Sequence, residues 1–151
     1  MIVTGGCQCG AVRYRVARIG RAYACHCTEC RRQSASAFAI SVPVWWDELA
    51  VDGAVAEYRR LAASGATTAC AFCPACGVRL YHRSSARPDV ATLKGGTLDD
   101  TPVPDAHLWV SRKAAWFDLP ADDERYSTQP DDLSEWRSRR LPPATAPDRD
   151  L

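Results

Sequence analysis

Eight cysteines in three ordered clusters constrain this chain more than any other feature. Cys7-Gln8-Cys9 lies near the start between glycines, and Cys25-His26-Cys27-Thr28-Glu29-Cys30 follows a short apolar stretch. Cys70 then precedes Cys73-Pro74-Ala75-Cys76-Gly77. The opening residues Met1 to Gly6 lack the basic and apolar regions of an export signal. The chain is therefore expected in the reducing cytoplasm, where clustered cysteines read as metal ligands or redox groups before disulfides.

Four thiolates around zinc form a tetrahedron with Zn–S near 2.3 Å, which sets the sulfurs roughly 3.8 Å apart. A C-x-x-C turn brings two sulfurs that close, and Gly77 lets the backbone reverse after Cys76. In C-x-C on an extended segment, both side chains point to one face. Cys7, Cys9, Cys73 and Cys76 thus make a plausible closed, structural zinc site. Cys25, Cys27 and Cys30 offer three thiolates and leave one coordination position open, as in working zinc sites. An incoming thiol could take that position and be held as a thiolate. The spacing leaves two alternatives open, a redox C-x-x-C pair and a set of four disulfides.

Length and charge narrow the function class. The chain has 151 residues, enough for one domain with a core, and a formal net charge of +1. Thiolates on two zinc ions would make the loaded protein slightly acidic, so no nucleic-acid partner is expected. No apolar run approaches the ~20 residues of a membrane helix, so no membrane partner is expected either. A homodimer is the default oligomer.

The chain reads as strands and turns. Ala11 to Val16 alternates Val12, Tyr14 and Val16 with Arg13 and Arg15, a half-buried strand pattern. Ala37 to Val44 is a second strand ending near Pro43. Glu57–Leu61, Val78–Tyr81, Val90–Leu93 and His107–Val110 are further short strands separated by Gly and Pro. The fold class expected is mainly β, antiparallel, with little helix. Asp131 to Arg137 carries acidic residues early and arginines late, as a helix dipole favours. Leu141 to Leu151, rich in Pro, Ala and charge, reads as a mobile tail. The division expected is a zinc-binding domain over 1–120 and an extension over 121–151.

Gly5-Gly6-Cys7-Gln8-Cys9-Gly10-Ala11-Val12-Arg13-Tyr14 resembles the opening of the glutathione-dependent formaldehyde-activating enzyme family, also called the centromere protein V/GFA domain. Cys25 to Arg32, Phe72 to Gly77, Gly96 to Asp100 and His107 to Trp116 resemble its later motifs, so the likeness spans about residues 1 to 120. The resemblance implies a Mss4-like zinc fold of antiparallel sheets. It implies a structural zinc on Cys7, Cys9, Cys73 and Cys76 and a catalytic zinc on Cys25, Cys27 and Cys30, two Zn²⁺ per chain. The activity it implies is S-(hydroxymethyl)glutathione synthesis, a carbon–sulfur lyase reaction joining the thiol of glutathione to formaldehyde or a similar small aldehyde. Cys70 departs from the family, which commonly has arginine there, and reads as a buried apolar residue.

Arg31 and Arg32 follow the open site, and their guanidinium forks suit the carboxylates of a glutathione-like substrate. His26 reads as structural, because a residue between two ligands can point away from the metal. His107, Trp109 and Trp116 read as core or dimer packing. Trp45-Trp46 reads as a packed strand end, His82 as a strand cap, and Asp99-Asp100 as a turn. Two rival functions use the same residues. One is a non-catalytic zinc module that binds a partner through the basic cluster Arg137, Arg139 and Arg140. The other is a thiol redox sensor built on Cys25, Cys27, Cys30 and Cys70.

Overall fold

The computed structural model of the chain describes residues 1–62 and 64–144. A small sheet joins β1 (Val3–Gly6), β2 (Arg13–Val16) and β5 (Leu49–Asp52) in the order β1-β2-β5, all antiparallel. The large sheet is built from β3 (Tyr23–Cys25), β4 (Ala39–Trp45), β6 (Ala56–Leu61), β7 (Thr67–Phe72), β8 (Arg79–Ser84), β9 (Arg87–Lys94), β10 (Ala106–Leu108) and β11 (Glu124–Arg125). Its order is β11-β10-β3-β4-β9-β8-β7-β6. The two helices are α1 (Thr28–Ser34) and α2 (Leu133–Ser138). The protein is thus mainly β, as its alternating patterns and frequent turns indicate. Pairing is antiparallel from β3 to β6, whereas β10 joins β3 and β11 in parallel.

Side-chain alternation explains the small sheet. In β2, Tyr14 and Val16 are buried and Arg13 and Arg15 exposed, so one face meets the core. Gly5 permits a close approach: a Cβ there would lie 2.4 Å from both the Thr97 carbonyl oxygen and the Tyr14 hydroxyl. In β4, Pro43 lies beyond Ser41, the last residue paired with β3, and opposes Thr92 on β9. Its missing N–H therefore breaks no rung of the β3 side, and β4 continues through it to Trp45. The strand expected over His107–Val110 stops at Leu108, because Trp109 turns into the left-handed region at φ 58.

The main core lies between the sheets and includes Val12, Val42, Val44, Leu80 and Leu93. A second cluster gathers Tyr23, Cys25, Ala106, Leu108 and Trp136. Trp136 is 2% exposed, and its ring meets Tyr23 edge-on at 5.1 Å. Residues after 120 are thereby packed on β3, the strand that delivers Cys25. We expect Trp136→Ala to cost about 3–5 kcal/mol in denaturant unfolding, the usual cost of emptying a buried aromatic site. A loss under about 1 kcal/mol would show that α2 is dispensable to this core.

Three sequence expectations need correction. Leu141 begins no free tail: Pro142 is buried and its carbonyl accepts the Trp45 indole N–H at 3.0 Å, while Arg18 donates to the Pro143 carbonyl. Residues 145–151 of that expected tail lie outside the described residues. Trp116 is not part of the chain's core but 75% exposed. His82 caps nothing; it sits inside β8, paired with Thr92 and Cys70. His107 is buried, as expected of core packing, and so is Cys70, at 2% exposure. Among the described residues, no helix is long and apolar enough to cross a membrane.

Candidate metal centres and their surroundings

Cys7 and Cys9 leave the end of β1, and Cys73 and Cys76 form the turn between β7 and β8. Their four sulfurs lie within 4.8 Å of one another, with Cys7–Cys9 at 3.5 Å and Cys9–Cys73 at 3.8 Å. Those separations match the edge of a tetrahedral four-sulfur zinc site. The turn has the geometry its sequence requires. Gly77 sits at φ 78 and donates to the Cys73 carbonyl at 2.8 Å, and the Cys73 N–H returns to Val78 at 2.9 Å. Backbone donors face the sulfurs, the Val12 N–H reaching Cys7 at 3.2 Å. The Val78 N–H, followed by that of Cys9, holds the Cys76 thiol down to about 6, so a thiolate is available at neutral pH. This cluster could hold a metal ion, and it would pin the small sheet to the large one.

The second cluster lies across the β3–α1 junction. Cys25 ends β3, Cys27 caps α1, and Cys30 stands in its first turn. The Cys27 sulfur accepts the Cys30 N–H at 3.4 Å, so this C-x-x-C spacing is also an N-cap bond. The three sulfurs lie within 4.8 Å of one another, and among the described residues no further Cys, His, Asp or Glu joins them. Hydrogen bonds from the Cys25 and Cys30 thiols hold Cys27 down to about 2. The same crowding, led by Cys27, drives the buried Cys25 thiol strongly up. Three thiols so placed share protons among themselves and are suited to exchange them for a cation. Cys25 is buried, while Cys27 and Cys30 are partly exposed.

His26 turns away from these sulfurs, as a residue between two ligands can. Its Nε2 meets Nδ1 of His107 at 3.0 Å, and His107 Nε2 meets Asp123 at 2.9 Å. Phe38 and Phe117 flank the ring at 5.2 and 5.6 Å. Burial, with the nearby charges of His107, Lys113 and Arg31, pushes His26 down to about 4. His26 therefore anchors the cysteine loop as a neutral imidazole bonded to His107.

Arg31 and Arg32 are exposed on the other face of α1, beside Thr28 and Trp116. Arg31 donates to the Arg112 carbonyl at 3.4 Å. The structure brings different cations close to the three-sulfur cluster. Gln33 donates from Nε2 to the Cys30 sulfur at 3.7 Å and accepts from Arg79 at 3.0 Å through Oε1. Lys94 is 6% exposed, and its ammonium has no hydrogen-bond partner among the described residues. A buried ammonium without a partner costs on the order of several kcal/mol. The strand registers set Ser41 opposite Lys94, and Thr92 opposite His82, on the sheet face that also carries Cys25. Sequence reading missed Lys94 and Arg79 because their meaning depends on which strands are neighbours. The one available signal was the cation immediately before Gly95-Gly96-Thr97.

His82 adds a pH dependence to this face. Burial lowers its pKa well below the ordinary histidine value, and Lys94, Arg137, Arg79 and Arg60 lower it further. The unfolded chain takes up a proton near pH 6.5 and the folded chain does not, so acidification below that pH favours unfolding. We expect His82→Leu to flatten the stability–pH curve by up to about 1.4 kcal/mol per pH unit between pH 6 and 5. Parallel curves for variant and wild type in chemical denaturation would refute this.

A Halomonas elongata protein named "Putative glutathione-dependent formaldehyde-activating enzyme" is 29% identical over 157 residues, covering 92% of this chain and 96% of its own. A Rhodobacter sphaeroides protein of known crystal structure superposes with a TM-score of 0.52 at 26% identity, covering 64% of this chain and 87% of its own. The family pattern described as glutathione-dependent formaldehyde-activating enzyme matches residues 2–112, and the chain belongs to that family.

Proposed function

We propose that the protein is a zinc-dependent carbon–sulfur lyase of the S-(hydroxymethyl)glutathione synthase type, joining a thiol such as glutathione to formaldehyde or a similar small aldehyde. The observation that carries this reading is the contrast between the two clusters, four sulfurs in one and three in the other. The first is saturated by protein and serves as a structural site. The second leaves room for a sulfur that the protein does not supply. Zinc held by Cys25, Cys27 and Cys30 would supply a Lewis acid that keeps an incoming thiol deprotonated at neutral pH.

The chain's own residues set the stage for that sulfur. Cys25 is fixed by β3, and Cys27 and Cys30 by the first turn of α1. Gln33 orients Cys30, and the His26–His107–Asp123 chain holds the loop from behind. The aromatic pair Phe38 and Phe117, 4.9 Å apart, shields that side from water. The reaction conserves its atoms: the thiol loses a proton, a C–S bond forms, and the carbonyl oxygen gains the proton. It needs no oxidant or reductant, which suits a reducing cytoplasm. Arg31 and Arg32 remain candidates for outer contacts to a substrate carboxylate.

The partner-binding alternative loses its main support. Of its basic cluster, Arg140 is 2% exposed and donates to the Ala22 carbonyl at 2.9 Å. Arg137 leans on Tyr23 inside the fold, which leaves Arg139 alone on the surface. The test is a coupled measurement on zinc-loaded protein. Glutathione and formaldehyde should be consumed faster than in buffer, and the adduct should appear by NMR at an enzyme-dependent rate. An adduct rate identical with and without protein, for glutathione and for other thiol–aldehyde pairs, would sink the reading.

A further inference from the structure

Beside the three-sulfur cluster runs a groove of about 570 Å³, walled by Gln33, Phe38, Ile40, Arg79, Lys94 and Thr97. A volume of this size accommodates a small peptide-like molecule. Its residues combine an apolar wall with two cations, and among the described residues no Asp or Glu lines it. Lys94 is more than nine-tenths buried, yet among the described residues its ammonium meets no hydrogen-bond acceptor, not even a cysteine sulfur. The Nε of Arg79 is buried and equally unpartnered. Folding has withdrawn two donors from water and given them nothing in return, at the wall of an open groove. Such donors call for an anion from outside the chain. Gln33 fixes the groove relative to the chemistry, since it bonds Arg79 on one side and Cys30 on the other.

We infer that Lys94 and Arg79 form the carboxylate-binding subsite for the thiol substrate, selecting thiols that carry an acid group at a distance from the sulfur. This rests on the thiol–aldehyde reading given above. It moves the specificity function from the exposed Arg31 and Arg32, which face a separate hollow with Trp116, to the buried pair on the sheet. Arg79 supplies a planar fork and Lys94 a point charge, so the pair can grip one carboxylate from two sides. The competing role for Lys94 is compensation of the negative sulfur cluster. That role needs no ligand and predicts no preference for acids.

The test uses the full zinc-loaded chain and calorimetric titration with S-methylglutathione, whose blocked sulfur cannot react, and with its diethyl ester. Wild type should bind the acid at least about tenfold more tightly than the ester, and Lys94→Met should remove most of that preference. Arg79→Gln should weaken it in the same direction, and the wild-type ratio decides alone if Lys94→Met does not fold. Equal affinity of wild type for acid and ester, or an undiminished preference in Lys94→Met, would overturn the subsite. Loss of zinc in Lys94→Met with the wild-type ratio near one would assign the lysine to charge compensation. Turnover separates the two proposals. Acid-selective binding without any thiol–aldehyde turnover leaves the subsite standing and removes the proposed reaction; turnover without acid selectivity does the reverse.

Discussion

Cys73→Ser should leave the protein unable to fold stably. Cys73 is fully buried, and its sulfur lies 3.8 Å from that of Cys9. The turn it belongs to joins β7 to β8 in the large sheet, while Cys7 and Cys9 belong to the end of the small sheet. A metal held there would therefore add a long-range staple between two sheets that also meet through an apolar core, the Gly5–Leu98 bridge and polar contacts of Thr4 and Arg13 with Asp99. Structural zinc sites contribute on the order of 10–16 kcal/mol of apparent binding energy at neutral pH. The whole stability of a domain this size is only about 5–15 kcal/mol. Removal of one ligand thus removes a stabilisation comparable to the total. We expect the variant to hold at most one zinc, to lose its cooperative thermal transition, and to show a collapsed tryptophan spectrum. A Cys73→Ser protein that melts cooperatively within a few degrees of wild type would mean that this cluster is a set of ordinary buried thiols. Chelation of the wild type gives an independent route to the same result, because the unfolded chain offers no preformed site.

Much of this arrangement is legible in the sequence, and the reasons differ by element. The β2 strand is readable because its arginines alternate with Val12, Tyr14 and Val16, and only one face is buried. The cysteine pairs are readable because C-x-C and C-x-x-C have few backbone solutions, and the structure brings Cys7, Cys9, Cys73 and Cys76 together across 64 residues of separation. Helix α1 was not foreseen. None of its residues is buried, so it has no apolar period to detect. It is held instead by its ends: the Cys27 sulfur cap and the left-handed Ala35 at φ 49. The parallel addition of β10 to β3 escaped for another reason. A three-residue strand has no register of its own, and its place is fixed by the Trp136 cluster behind it, the pairing with β11 and the His107 bonds to His26 and Asp123. The cationic groove escaped because Gln33, Arg79 and Lys94 lie far apart in sequence and meet only through strand order. Arginines next to the cysteines drew attention by proximity, yet α1 turns Arg31 and Arg32 to the opposite side.

Cys27→Ser should separate chemistry from folding. Cys27 is partly exposed, caps a helix of seven residues, and belongs to the cluster that staples no distant strands. Serine is itself a good N-cap, so the helix keeps its first hydrogen bond and the fold loses little, about 1 kcal/mol or less. The sulfur is another matter. Its neighbours hold it down to about 2, which makes it the leading anionic ligand of the three. Serine's hydroxyl supplies no comparable anion at neutral pH, and a two-sulfur remnant holds a soft cation weakly. Zinc content is expected to fall from two per chain to one, with an unchanged far-UV spectrum and a melting temperature within a few degrees of wild type. Turnover of glutathione with formaldehyde should drop by at least about a thousandfold, since Lewis-acid stabilisation is worth several kcal/mol and each 1.36 kcal/mol is a factor of ten. The direction of each readout matters. Loss of one zinc with full activity would leave the three-sulfur cluster without a catalytic role and strengthen its reading as a thiol sensor. Retention of both zincs would show that the ion bound there depends on ligands other than Cys27. Loss of both, with unfolding, would mean that the two clusters are coupled through β3 and β4, and that the division into a structural and a working site is false.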